Sequence, residues 1–217
     1  MESFKSFLKP YYHKIINLLK FSNRIGLRNK NISIISNNCA GGFLSQHFGL
    51  PYNSPTAELF LAGNDYLRFT SHIEHYLSLP LMFIDPQKSK HYALVKNTNL
   101  YGEYPVALCD DIEIFFMHYH SQAEAQEKWG RRSKKINPNN CIYLLFESDL
   151  TTKQDILEFA KKDSRYLVFS YNKYADKNIL YSPQVGQDPE HSWKPEIVVT
   201  LKDWKILLNS MKQERIL

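Results

Sequence analysis

The chain has little of what would point directly to a known chemistry. Its 217 residues contain three cysteines, Cys39, Cys109 and Cys141. That number is too small and too odd for a disulfide framework and suits a reducing compartment. None of the three has the close CxxC spacing of a structural zinc site, so no metal is expected. Glycine is scarce, eight in all. The pair Gly41-Gly42 lacks the three spaced glycines and downstream acid of a dinucleotide fingerprint. No apolar run approaches the roughly 18–20 residues that cross a bilayer. The N-terminus has no apolar core ending in a cleavage site. The expected location is therefore cytoplasmic. Repeats and low-complexity tracts are also missing.

The charge is unevenly placed. Residues 1–30 carry seven basic side chains (Lys5, Lys9, Lys14, Lys20, Arg24, Arg28 and Lys30) and one acid, Glu2. The whole chain is +5, which leaves residues 31–217 close to neutral. A nucleic-acid protein should instead carry a basic stripe across its fold, so no nucleic-acid partner is expected. The basic segment is also amphipathic. Phe4, Phe7, Leu8, Tyr11, Ile15, Leu18 and Leu19 follow helical spacing, with the lysines off the stripe. Residues 1–30 thus read as a basic amphipathic arm. Residues 1–28 could contact the inner face of a membrane, or pack on the domain with a solvated basic face.

Residues 31–217 read as one α/β domain. The pattern predicts strands at Ile32–Ile35, Leu81–Ile84, Tyr92–Val95, Val106–Cys109, Ile112–Met117, Cys141–Phe146, Tyr166–Phe169 and Ile197–Thr200. Helices are expected over Phe43–Phe48, from Thr56 to Leu61, from Asn64 or Asp65 to Leu77, from Ser121, over Thr151–Lys162 and from Leu201 to about Glu214. Ser121-x-x-Glu124 has capping-box spacing, and Glu124/Lys128 and Glu127/Arg131 are favourable i,i+4 pairs. Ala125, Trp129, Arg132 and Ile136 share the face that should look inward. Strands alternating with helices imply a single three-layer domain with a central mixed, largely parallel sheet.

The candidate site starts at the end of the first strand, in Ser36-Asn37-Asn38-Cys39-Ala40-Gly41-Gly42. Ligands of open α/β sheets bind at the carboxyl ends of strands, where Gly41 and Gly42 would let backbone approach them. Cys39 ahead of a helix is a candidate nucleophile, the alternative being a small buried hydrophobe. Asn37 and Asn38 could hold a sugar hydroxyl, a phosphate or an oxyanion, or simply form turns. Asp110 and Asp111 follow a strand and could accept a proton or a sugar hydroxyl. Adjacent carboxylates on extended chain point oppositely, which argues against a shared metal. His118 and His120, at i and i+2, would face one side of a strand, towards Cys39 if the strands are parallel. Arg132 offers a bidentate fork to an anion.

Three segments together resemble a bacterial family of unassigned function. They are Ser36-Asn-Asn-Cys-x-Gly-Gly42, then Tyr52-x-Ser54-Pro55-Thr56, then His118-Tyr-His-x-x-x-Glu-Ala-x-x-Lys-Trp129-x-x-Arg132-x-x-x-Ile136-Asn137. The likeness spans about residues 30–170, and Ala40 stands where that family has a bulky aromatic residue. Members are often assigned to exopolysaccharide or capsule biosynthesis, and at times described as acetyltransferases. The resemblance implies a setting among surface-polysaccharide enzymes and adds Ser54, Thr56 and Trp129 to the candidate substrate-binding residues; the leading reading is a transferase that moves an acyl group to a sugar or lipid-linked sugar. Cys39, His118, His120 and Asp111 are the catalytic candidates. Asn37, Asn38, Gly41, Gly42, Ser54, Thr56, Asp110, Trp129 and Arg132 are the binding candidates. The cofactor is left open. A glycosyl- or glycerophosphate-type transferase and a non-catalytic sugar- or partner-binding subunit are the other readings.

Overall fold

The computed structural model describes residues 24–96, 102–183, 185 and 198–211. The amphipathic stripe of residues 4–19 lies outside them. Described residues just after it join the domain: Leu27 enters the core, and Arg24 donates to the carbonyls of Gln46 and His47.

The elements in order are β1 (Ser33–Ser36), α1 (Ala40–Phe48), α2 (Gly63–Ser71), α3 (Ile73–Ser78), β2 (Met82–Ile84), α4 (Tyr92–Val95), β3 (Val106–Cys109), β4 (Ile112–Phe115), α5 (Gln122–Ser133), β5 (Cys141–Phe146), α6 (Lys153–Ala160), β6 (Tyr166–Ser170), β7 (Ile179–Tyr181) and α7 (Trp204–Ser210). They form an α/β fold. The parallel and antiparallel pairings fall in separate sheets: a four-stranded parallel sheet ordered β1-β5-β6-β7 and a three-stranded antiparallel sheet ordered β2-β3-β4.

Alternation along the parallel strands explains the layers. Ile34, Ile142, Leu144, Phe146, Leu167 and Phe169 point to one face, where Leu44, Phe48, Trp204 and Leu208 of α1 and α7 cover them. Ile35, Tyr143, Leu145 and Val168 point to the other, against Tyr66 and Phe69 of α2 and Ile156 and Phe159 of α6. Stacked rings tie β5 to β6 on both faces, Phe146 on Phe169 at 4.7 Å and Tyr143 on Tyr166 at 4.5 Å. Each fully buried Leu, Ile or Phe contributes about 1.5–3 kcal/mol, so both faces matter. The antiparallel sheet joins the second layer through Ala107, Ile112 and Ile114.

Several expected elements differ. Tyr92–Val95 is the short helix α4, held by Lys90 and His91 on the buried Asp65. Thr56 caps no helix, because its hydroxyl accepts from Ser36 N–H and the chain then bridges Phe60 to Phe115. The expected 64–77 helix breaks at His72, where the backbone leaves helical geometry. Val198 is helical and Val199 and Thr200 are turn rather than strand, and β7 forms where no strand was expected.

Candidate active site

Two neighbouring strands of the parallel sheet send their chains to opposite faces. β1 continues into α1 on one side, and β5 into α6 on the other. Their carboxyl ends therefore flank a topological switch point, the position where α/β sheets open a crevice. Asn37, Asn38 and Cys39 sit at that opening.

Most of this loop secures itself. Asn37 extends the ladder with its side chain: Nδ2 donates to Phe146 O (3.0 Å), and Oδ1 accepts from Phe146 N–H (2.8 Å). Asn38 Oδ1 accepts from Ala40 N–H, and Ser36 Oγ accepts from Gly41 N–H. Two first-turn donors of α1, the N–H groups of Ala40 and Gly41, are thus taken by the chain's own oxygens rather than turned to a ligand. A Cβ on Gly41 would meet Ile34 O at 2.7 Å and Ser36 Oγ at 2.8 Å, so glycine there serves packing. At Gly42 the same atom would touch only the Tyr52 ring, at 3.7 Å. Ser54 and Thr56 are buried and bonded to each other, and Thr56 Oγ1 accepts from Ser36 N–H, which occupies them structurally.

Cys39 is the N-cap of α1, and its Sγ lies 3.1 Å from His118 Nε2. The two arrive by a route the sequence did not suggest. His118 follows β4 of the antiparallel sheet, and residues 57–61 carry it across. Leu61 N–H donates to Asn37 O (2.9 Å), Phe60 and Phe115 exchange both backbone bonds, and Tyr119 OH donates to Ala57 O (3.0 Å).

His118 and His120 do not converge, because the chain has left the strand after Phe115. Tyr119 packs inward on Phe116 between them, and His120 is exposed, its N–H bonded to Glu124.

The thiol is electrostatically restrained. Burial, reinforced by the Glu58 carboxylate, pushes Cys39 from an ordinary value of 9.0 up to about 12. The positive end of α1 opposes this, but helix termini contribute about 0.3–1 kcal/mol, against about 4 kcal/mol for such a rise. Burial wins, so at rest Cys39 is a thiol.

Arg132 reaches inward from α5, as its helical face requires. Nη1 donates to Ala57 O (2.7 Å) and Tyr119 OH (2.6 Å), while Nη2 donates to Glu58 Oε2 (2.9 Å). Its cation also lies 5.8 Å from the Tyr52 ring centroid. Glu58 adopts φ 68°, a left-handed conformation that costs a non-glycine residue about 1–2 kcal/mol. The bonds that Arg132 and Tyr119 make to Ala57 O hold it there. Tyr52, Glu58 and Tyr119 were not singled out by sequence, although Tyr52 and Tyr119 fall inside the motif segments.

Three predicted residues are elsewhere. Asp110 and Asp111 form the turn joining β3 to β4, with Asp110 at φ 56°. Asp110 pairs with His75, and Asp111 with Arg68 and the Tyr76 hydroxyl. The four residues of β4 separate that turn from the His118 end by roughly 13 Å. Strand order misled here, since both ends of one hairpin strand read as one sheet edge. Trp129 is core, packed on Phe69 and Phe116, with its Nε1 buried and unpartnered among the described residues.

Sequence reasoning also missed Glu147, which is buried at the carboxyl end of β5. It accepts from Ser170 Oγ, Asn172 N–H and Asn172 Nδ2 and so pins the loop after β6. An acid closing the apolar run Cys141–Phe146 was the available signal. Among the described residues no group of three or more His, Cys, Asp or Glu is placed to hold a metal ion.

These features define a three-layer α/β protein with a cysteine–histidine pair at the carboxyl edge of its parallel sheet. The chain belongs to the family described as a domain of unknown function, DUF1919, whose pattern matches residues 11–191. It is similar to an uncharacterized protein of Haemophilus influenzae, 34% identical over 157 residues, covering 71% of this chain and 69% of that one. Neither description names an activity; the chemistry rests on the side chains. No helix among the described residues is long and apolar enough to cross a membrane.

Proposed function

We propose that this protein transfers an acyl group to a sugar or lipid-linked sugar of a bacterial surface polysaccharide, through a thioester on Cys39. The observation that supports this reading is the 3.1 Å approach of Cys39 Sγ to His118 Nε2. A nucleophile within hydrogen-bond reach of a base is the signature of covalent catalysis. The polysaccharide setting rests on the resemblance carried by the three motif segments.

With the thiol near 12, attack requires proton transfer to a base. Sγ attacks the carbonyl of an acyl thioester donor while His118 Nε2 takes its proton. Collapse expels the donor thiolate, which receives that proton from His118. An acceptor hydroxyl then attacks the Cys39 thioester, His118 removes the hydroxyl proton, and the new ester departs as Cys39 recovers its proton.

The glycosyl- or glycerophosphate-transfer reading loses its base, because Asp110 and Asp111 are engaged at the hairpin turn. A non-catalytic subunit has one observation on its side, the high thiol value.

Two measurements test the proposal. Incubation with an acyl thioester should add one acyl group to Cys39 by peptide mass mapping, and should not do so after Cys39→Ala. In a deletion strain, Cys39→Ala and His118→Ala should fail to restore polysaccharide acylation. Full restoration by Cys39→Ala sinks the covalent route. We place the reaction on the cytoplasmic side of the membrane, with residues 1–28 as the membrane contact. Unchanged liposome co-sedimentation on deleting residues 1–28 removes that contact.

A further inference from the structure

The charges beside Cys39 are arranged in an order that limits what can bind. Arg132, the expected anion ligand, is withdrawn: its side chain is 8% exposed, against 40% for Glu58. Three of its N–H bonds go to Ala57 O, Tyr119 OH and Glu58. An incoming group therefore meets the Glu58 carboxylate before the guanidinium. Lys128, the nearby cation on the Tyr119 ring, is already paired with Glu124 at 2.7 Å.

Glu58 uses Oε2 for Arg132, and among the described residues its Oε1 makes no hydrogen bond. Its left-handed backbone, fixed through Ala57 O, sets the direction of that side chain. Tyr52 lies on the same side. The residue is 39% exposed, and its ring lies against Arg132 and beside Gly42 in the first turn of α1. The Glu58 charge acts on both the Cys39 thiol and the Tyr52 phenol, so the three groups share one field. Asn38 is adjacent in the chain. Its Oδ1 is bound to Ala40 N–H, and its Nδ2 donates to no described residue.

We propose that Tyr52 and Glu58 form the acceptor subsite, and that it takes a sugar presenting neutral hydroxyls and rejects uronates and sugar phosphates. The tyrosine face covers the apolar side of a sugar ring, and Glu58 Oε1 accepts from a hydroxyl. Asn38 Nδ2 supplies the donor that a hydroxyl oxygen needs. An anionic sugar places its charge against Glu58, the exposed outer member of its pair with Arg132. This inference rests on the acyl-transfer reading of Cys39 and His118, and names the acceptor class for that site.

The test is ligand-observed saturation-transfer NMR on the full chain, with a neutral methyl hexoside, the matching methyl uronate and the matching hexose phosphate. The neutral glycoside should give a signal several-fold above both anionic sugars. Tyr52→Ala should abolish that signal, while Tyr52→Phe should retain it. Glu58→Gln should bring the uronate up to the level of the neutral sugar. Anionic sugars binding as well as the neutral one, no signal from any sugar, or a Glu58→Gln protein with undiminished discrimination would each overturn the inference. Cys39 acylation by a thioester without sugar is read separately. Acylation without sugar discrimination removes the subsite alone, whereas failure of acylation removes the covalent mechanism.

Discussion

The state of the Cys39 thiol decides whether His118 acts as a base or as half of a preformed ion pair. A thiol near 12 is about one part in ten thousand thiolate at pH 8, whereas a free cysteine near 8.5 is about a quarter ionised. Iodoacetamide reacts with the thiolate, so Cys39 should alkylate roughly a thousandfold more slowly than a free cysteine at pH 8. The rate should climb about tenfold per pH unit between pH 7 and 10, because thiolate rises in proportion to hydroxide well below the thiol value. Burial is the larger cause and Glu58 the smaller. Glu58→Gln should therefore move the profile to lower pH by less than half of the rise above the ordinary value. Peptide mapping is needed, since burial also raises Cys109 and Cys141, each to about 11. Cys39→Ser supplies the blank. A fast, pH-independent plateau between pH 6 and 8 would refute the reasoning. It would mean that His118 holds Cys39 as a thiolate–imidazolium pair, strong enough to overcome the cost of burial.

Three further outcomes follow from the packing. Gly41→Ala forces a methyl into Ile34 O and Ser36 Oγ and should cost about 1–3 kcal/mol in urea unfolding, with Gly42→Ala close to neutral. Asp111→Asn should leave Cys39 alkylation unchanged and cost less than about 1 kcal/mol, because its pair with Arg68 is solvent-exposed. Asp65 titrates with a sign that can be checked by melting. Burial raises it, but the bonds from His91 and Lys90 outweigh that and hold it below its ordinary 3.8. A depressed carboxylate stabilises the fold above its unfolded value and loses that contribution as pH falls through its folded one. The melting temperature should therefore drop below about pH 4, and Asp65→Asn should flatten that drop.

The elements with strong periodicity were readable. β5, β6 and α5 appear close to where apolar runs and the Ser121 cap place them, and Arg132 does face inward. Short runs were not readable. Tyr92-Ala-Leu-Val95 is as compatible with one helical turn as with a strand, and Asp65, far away in sequence, settles it. Thr56 carried a cap signature, yet a donor twenty residues back claimed its hydroxyl. The site was half legible. Cys39 and His118 could be paired from sequence, but on the premise of one parallel sheet, and that premise also drew in Asp110 and Asp111. Glu58 offered no pattern at all, because its role comes from a left-handed turn and a salt bridge to a residue 74 positions away.

The arrangement of the chain explains how a distant second sheet can serve the edge of the first. Between β1 and β5 the polypeptide makes a long excursion, and all three strands of the antiparallel sheet are built within it. Residues 57–61 are the strip that both sheets use. Leu61 is bonded to Asn37 at the end of β1, Phe60 to Phe115 at the end of β4, and Ala57 to Tyr119 and Arg132. The nucleophile and its base thus hang from opposite sides of one five-residue strip, with Glu58 inside it. A shift of that strip would move the Cys39–His118 distance and the Glu58 charge together. The same backbone that closes the fold therefore sets both the reach of the base and the restraint on the thiol. Side-chain substitutions in the strip should accordingly alter reactivity at Cys39 more than equally buried changes in α6.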